Sequence, residues 1–289
     1  MNPEIIYSNF RDEALAHMFS AEQYETFVAM PFRNRFSYHP DIILNQAIQK
    51  AAAEANKNRG DQLKEFLMPQ TVAGKPPTAN VITEDIVKSI LFSHFFIADL
   101  TGGNGGVLIE TGIAMSFKSN TQIILITQDP LDQLHFDIRN NRVISYNPDG
   151  KTEEISEAFL AAAQSFENDR ERYVTQVSKS LSKDAILTLD CYASWYQSKE
   201  SAQGQPGLFY PERMPRFFTN AYGDQAINMF QLTLLELYQK RMIWTDYSLR
   251  KNDSGGRHHA WAVHVTKIGW LLIKYLWPHY TDRYCERII

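Results

Sequence analysis

The chain has 289 residues, 44% of them hydrophobic and 21% charged, with a formal net charge of −4. That composition excludes a disordered, collagenous or disulfide-stapled chain and implies no general attraction to polyanions. Its two cysteines, Cys191 and Cys285, give neither a disulfide framework nor a metal cluster, so no metal is expected and a reducing, cytoplasmic location is.

The opening residues, MNPEIIYSNFRDEAL, carry acids and no apolar core, which does not read as a signal peptide. No run approaches about 18 apolar residues, so no membrane span is expected. Residues 4–23 read as a short helical or irregular lead-in, with Leu15, Met18 and Phe19 on a weak apolar face. Residues 26–30 form a short apolar strand that Pro31 stops. The polar segment RNRFSYHP follows, placing Arg33 and Arg35 beside the strand's carboxyl end, either in a solvated loop or as bidentate phosphate holders.

Asp41 caps a helix with Ile42, Ile43, Ala47, Ile48 and Ala51 on one face. Residues 65–68 read as a second strand. The Gly- and Pro-bearing loop at 70–80 has the length of a functional loop, such as a lid. Thr83 opens a helix with Ile86, Val87, Ile90 and Leu91 at helical spacing, Asp85 in its first turn, and a packing histidine, His94, after it.

The chain is organised around residues 96–115, FIADLTGGNGGVLIETGIAM. An apolar strand ends at Asp99, a loop passes through Gly102, Gly103, Asn104, Gly105 and Gly106, and a helix begins with Asn104 as its N-cap. Glu110 falls within about two turns of the helix start, where the helix dipole favours the ionised carboxylate. The loop is no dinucleotide fingerprint, because counting from Gly103 puts Leu108 where the third glycine belongs. It has no Lys-Ser/Thr pair either, so it is no P-loop. What it offers is a carboxylate over a backbone-lined cradle at a strand's carboxyl end, where open α/β sheets bind ligands.

A buried strand at 122–127 follows, then a loop at 128–130 and a last strand at 142–146. Asp137 and Arg139 lie between, as pocket border or plain turn. Alternating strands and helices up to Tyr146 predict a parallel flavodoxin/Rossmann-like sheet flanked by helices. Residues 1–165 are expected to form this α/β domain, 166–207 a helical linker, and 208–289 a smaller α+β domain. The polar stretch 198–207 marks the boundary.

In the tail, residues 225–240 form an amphipathic helix, 242–249 and 259–265 two strands around a Gly-ended turn, and Thr266 caps a last helix. Helix, two-stranded wing and helix resemble a winged-helix module. Residues 1–150 carry 12 Lys and Arg against 17 Asp and Glu, whereas 210–275 carry 9 against 5. Arg250, Lys251, Arg257, His258 and His259 cluster at the wing, where cations contact nucleic-acid phosphates or simply solvate a turn in a protein-interaction or dimerisation module.

The stretch ADLTGGNGGVLIETGIA, with FVAMPF at 27–32, resembles the nucleoside 2-deoxyribosyltransferase-like family and the TIR-like nucleotide-binding proteins of bacterial defence systems. The resemblance covers residues 25–146. It implies that Glu110 is the catalytic carboxylate, with Asp99 as the family's strand-end acid, also in the catalytic set, and Asn104 as its loop asparagine. It also implies that Met30, Pro31, Phe32 and Arg33, with Gly102 to Gly106 around Asn104, contact the substrate. This loop reads Asn-Gly-Gly-Val where the TIR-like relatives more often have Asn-Pro-Asn-Val, which leaves the substrate open.

One positioned carboxylate suits cleavage at an anomeric carbon, whose transition state is cationic. Nicotinamide in NAD leaves without protonation. A purine or pyrimidine needs a proton donor, and Asp99 is the nearest candidate. The expected function is an N-glycosidase-type hydrolase of NAD or of a nucleoside or deoxynucleotide, with no cofactor, in an antiphage defence effector. The alternatives are a non-catalytic nucleotide-signal sensor with a DNA- or protein-binding tail, and a deoxyribosyl transferase. A homo-oligomer, a nucleic-acid or defence-system partner at the tail, and no membrane association are expected.

Overall fold

The computed structural model describes residues 13–31, 38–71, 82–134, 141–147, 152–200, 214–251 and 257–277. The chain divides into two compact units, Met1–Arg170 and Glu171–Ile289.

The first unit opens with helix α1 (13–20), followed by β1 (Gln23–Tyr24) and β2 (Thr26–Ala29). Pro31 follows β2 and has no amide proton to extend the ladder. Next come α2 (Pro40–Ile42), a π-helical stretch Ile43–Gln49 and α3 (Lys50–Asn58), which run on without a break. Their buried face is Ile43, Ala47, Ile48, Ala51, Ala52 and Ala55. Then come β3 (Glu65–Phe66), α4 (Ile82–Phe92), β4 (Phe95–Asp99), α5 (Gly105–Phe117), β5 (Ile123–Thr127), β6 (Val143–Ser145) and α6 (Glu153–Ser180).

Strands β2, β4, β5 and β6 form a parallel four-stranded sheet in that order. β1 pairs with β3, also in parallel. The chain beyond β3 stays beside β2, where Gln70 accepts from the Val28 amide at 2.8 Å and donates to Thr26 O at 3.1 Å. Strand β4 therefore lies on the other side of β2 from β3, and the strand order reverses between β2 and β4.

The strands are buried on both faces, as a parallel sheet covered by helices requires. On one face, Phe27, Ala29, Phe96, Ala98 and Leu125 pack with Ile86 and Ile90 of α4 and Val107 and Ala114 of α5. On the other, Tyr24 and Phe95 meet Phe66 and, from α6, Phe166, while Phe159 of α6 meets Phe66. His94 belongs to this packing. Its Nδ1 accepts from the Glu25 amide at 3.0 Å and its Nε2 lies 2.8 Å from Met18 O, while burial pushes its pKa down to about 3.

The second unit contains α7 (Lys183–Glu200), α8 (Arg216–Tyr222), α9 (Ala226–Gln239), the antiparallel pair β7 (Ile243–Lys251) and β8 (Arg257–Val265), and α10 (Lys267–Leu276). The helix, hairpin, helix order matches the sequence reading. Residues 171–200 lie in the second unit, where α7 packs on α9 and α10. Thr266 caps α10 by accepting from the Gly269 amide. Gly269 is needed there, because a Cβ would stand 2.2 Å from Met242 O. The expected domain boundary at 198–207 falls largely outside the described residues, as do most of the 70–80 loop, Asp137 and Arg139.

Candidate functional site

β4 carries the chain to the sheet's carboxyl edge and ends at Asp99, beside the reversal in strand order. That crevice is the standard ligand position of an open α/β sheet. The turn beyond it needs glycine twice, with Gly102 at φ 71° and Gly103 at φ 57°, both in the left-handed region. Asn104 then caps α5, its Oδ1 accepting from Gly106 N at 2.9 Å and Val107 N at 3.3 Å.

Four amides around this loop, those of Gly102, Gly103, Gly106 and Val107, are engaged within the protein. Gly103 N donates to Leu100 O at 3.0 Å. Gly102 N donates to Asp129 Oδ2 at 2.6 Å, from the loop after β5. Gly106 and Val107 donate to Asn104, so these four amides do not converge on a ligand. Open, convergent amides are what make a phosphate nest.

Asp99 is fully buried and its carboxylate is saturated. Oδ1 accepts from Thr101 N at 3.1 Å and Thr101 Oγ1 at 2.6 Å. Oδ2 accepts from Tyr38 OH at 2.8 Å and Tyr146 OH at 2.5 Å. Burial raises the Asp99 pKa against the pull of these donors. Burial and the neighbouring Asp99 charge push the Tyr38 and Tyr146 hydroxyls well up, so both remain proton donors. The network continues through Gln128, whose Nε2 donates to Tyr146 OH at 2.9 Å and whose amide donates to Thr101 Oγ1 at 3.0 Å. One buried carboxylate thus joins the ends of β4, β5 and β6 to the start of α2.

Glu110 is placed differently. It sits in the second turn of α5, three residues after Val107 and four before Ala114, on the stripe that packs over β2 and β4. It is half-buried, and among the described residues no hydrogen bond or ion pair reaches its carboxylate. Burial pushes its pKa up to about 7. The sequence reading expected the helix dipole to favour its ionised form. The dipole fades within the first turn, where Asn104 already accepts from the Gly106 and Val107 amides, and loss of water prevails.

Strand alternation sets the two acids apart. Phe96 and Ala98 face α4 and α5, so Asp99 points to the opposite face, where Tyr146 follows Ile144. Asp99 and Glu110 therefore do not form a carboxylate pair on one face. Met30 is buried and Pro31 partly so at the end of β2. Phe32 and Arg33 lie outside the described residues, as does Arg35. In the second unit, Arg250 pairs with His258 and Lys251 with Arg257 along the hairpin. Their side chains are outside the described residues.

Sequence reasoning missed Tyr38, Thr101, Gln128, Asp129 and Tyr146. Gln128, Asp129 and Tyr146 come directly after β5 and β6, so their position at strand ends was the available signal. No protein-family model matches the chain, and no curated protein matches it.

Proposed function

We propose that the first unit is an N-glycosidase-type hydrolase acting on a nucleotide, with Glu110 as nucleophile or electrostatic stabiliser at the anomeric carbon. The observation that carries this reading is the half-buried Glu110 carboxylate over the strand-order reversal, without a partner among the described residues and with a pKa near neutrality. A group poised near the working pH is suited to chemistry, and strongly perturbed acids in clefts mark functional sites. The oxocarbenium-like transition state is stabilised by an anion that water does not screen.

The disposition of Asp99 bears on the substrate. With all four of its hydrogen bonds made and its side chain on the other sheet face, Asp99 supports the loop rather than protonating a leaving base. An N-glycoside whose base is already cationic needs no such donor, which favours the nicotinamide–ribose bond of NAD over a purine or pyrimidine nucleoside. Nothing in this chemistry calls for a metal. The resemblance of the glycine loop to TIR-like defence proteins supports a role in antiphage defence. The helix, hairpin, helix order of the second unit supports a winged-helix-like arm for nucleic acid or a protein partner.

The test is release of free nicotinamide from NAD, set beside nucleosides and deoxynucleotides, by wild type and Glu110→Gln. Base release lost in the folded variant is the expected result. Equal turnover by the variant removes Glu110 from the chemistry. No release from any substrate by wild type favours the sensor reading, and exchange onto an added base favours a transferase.

A further inference from the structure

At the other end of the sheet, β6 is too short to cover β5. Its first residue, Val143, stands opposite Leu125, so Ile123 and Ile124 have no registered partner on that side. α6 passes behind with Ala158, Ala161 and Ala162, too small to fill the gap. The result is a cleft of about 420 Å³, closed on the α5 side by Met115 and floored by Ile124, Leu125 and Ile144. Protein interiors are otherwise close-packed, and a void of this size falls in the range of small-molecule sites, roughly 300–1,000 Å³.

The polar groups gather at the rim, where Asn120, Thr121, Asn141 and Arg142 border the apolar floor. Arg142 is exposed, and among the described residues no carboxylate pairs with it. A guanidinium with no counter-ion among the described residues, beside an apolar floor, complements a molecule with the opposite build.

We infer that this cleft is a second binding site, for a small organic anion with a compact apolar body whose carboxylate meets Arg142 while the body lies on Ile144 and the α6 alanines. The site is independent of Glu110. It lies at the amino end of β5, whereas the glycine loop lies at the carboxyl edge, and α5 runs between them.

The test is calorimetric titration of the full chain with 2-naphthoate and with its neutral analogue 2-naphthalenemethanol. Saturable one-to-one binding of naphthoate is expected, at least tenfold tighter than the alcohol. Arg142→Gln should remove most of that difference, and Ala161→Trp, which fills the floor, should abolish binding of both. A wild-type thermal melt qualifies the tryptophan variant, and Arg142→Gln stands alone otherwise. Absent saturable binding, equal affinity for acid and alcohol, or unchanged affinity in Arg142→Gln would each overturn the inference.

Discussion

The Gly102 amide donates to the Asp129 carboxylate at 2.6 Å, so the protein's own acid occupies this donor of the glycine turn. This contact lies at the exposed surface, and removing it should cost the fold only about 1 kcal/mol. Asp129→Ala should therefore fold normally but acquire a response to inorganic phosphate. A rise in melting temperature with phosphate is expected for the variant and not for wild type. Identical phosphate responses would mean that Asp129 does not guard the turn.

Glu110 gives a prediction with a definite sign. Its folded pKa of about 7 lies above the ordinary 4.5, so the folded state holds more protons between those values. Stability should fall as pH rises through that window. Glu110→Gln should be more stable than wild type at pH 8, by about 1–2 kcal/mol after allowing for solvent screening. The difference should vanish near pH 4.5. Turnover should move the other way, rising as the carboxylate ionises through about pH 7. Urea melts and initial rates over pH 5–9 check both.

Asp99→Asn separates a scaffold from a proton donor. The amide retains an acceptor oxygen but presents N–H groups to donors such as Thr101 and the two tyrosines. A loss of roughly 2–4 kcal/mol is expected from buried groups left without partners. As scaffold, Asp99 should leave the shape of the pH–rate profile unchanged in whatever activity remains. A lost limb of that profile would identify it as an acid in the reaction.

Lys118 lies buried just past the end of α5, its Nζ donating to Ser93 O, and burial pushes its pKa down to about 7 from 10.5. Here the unfolded chain binds more protons between pH 7 and 10.5, so stability should rise with pH across that range. Lys118→Met removes the charge but strands the Ser93 carbonyl, at about 1–3 kcal/mol. Its clearest mark is therefore a flatter stability profile between pH 7 and 9.5, read from urea midpoints.

Gly269→Ala probes the second unit alone. Its Cβ would meet Met242 O at 2.2 Å and Val265 Cγ1 at 2.8 Å, and backbone cannot yield as a side chain can. A loss of about 1–3 kcal/mol is expected, with no effect on Glu110 chemistry. A wild-type melting curve would show that α10 shifts to make room.

Much of this arrangement was legible locally. The apolar run of β4, the Asn104 cap and the periodic stripes of α4, α5 and α9 all depend on neighbours within a few residues. The features that escaped depend on distance along the chain. Asp129 reaches Gly102 across 27 residues and Tyr146 reaches Asp99 across 47, contacts that exist only once the strand order is known. The two-residue β1 and β3 are too short to show alternation. The Glu110 pKa turns on how much water its packing excludes, which no residue spacing reveals. Residues 183–200 look like a connector because their apolar positions do not disclose that α9 and α10 lie beside them.

The threads from Asp99 to Tyr38, Tyr146 and Thr101, and from Gln128 onward, mean that the loops after β4, β5 and β6 cannot loosen one at a time. In native-state hydrogen exchange the amides of Thr101, Gln128 and Tyr146 should report one shared opening energy, so the mouth of the sheet behaves as a drawstring rather than as separate flaps.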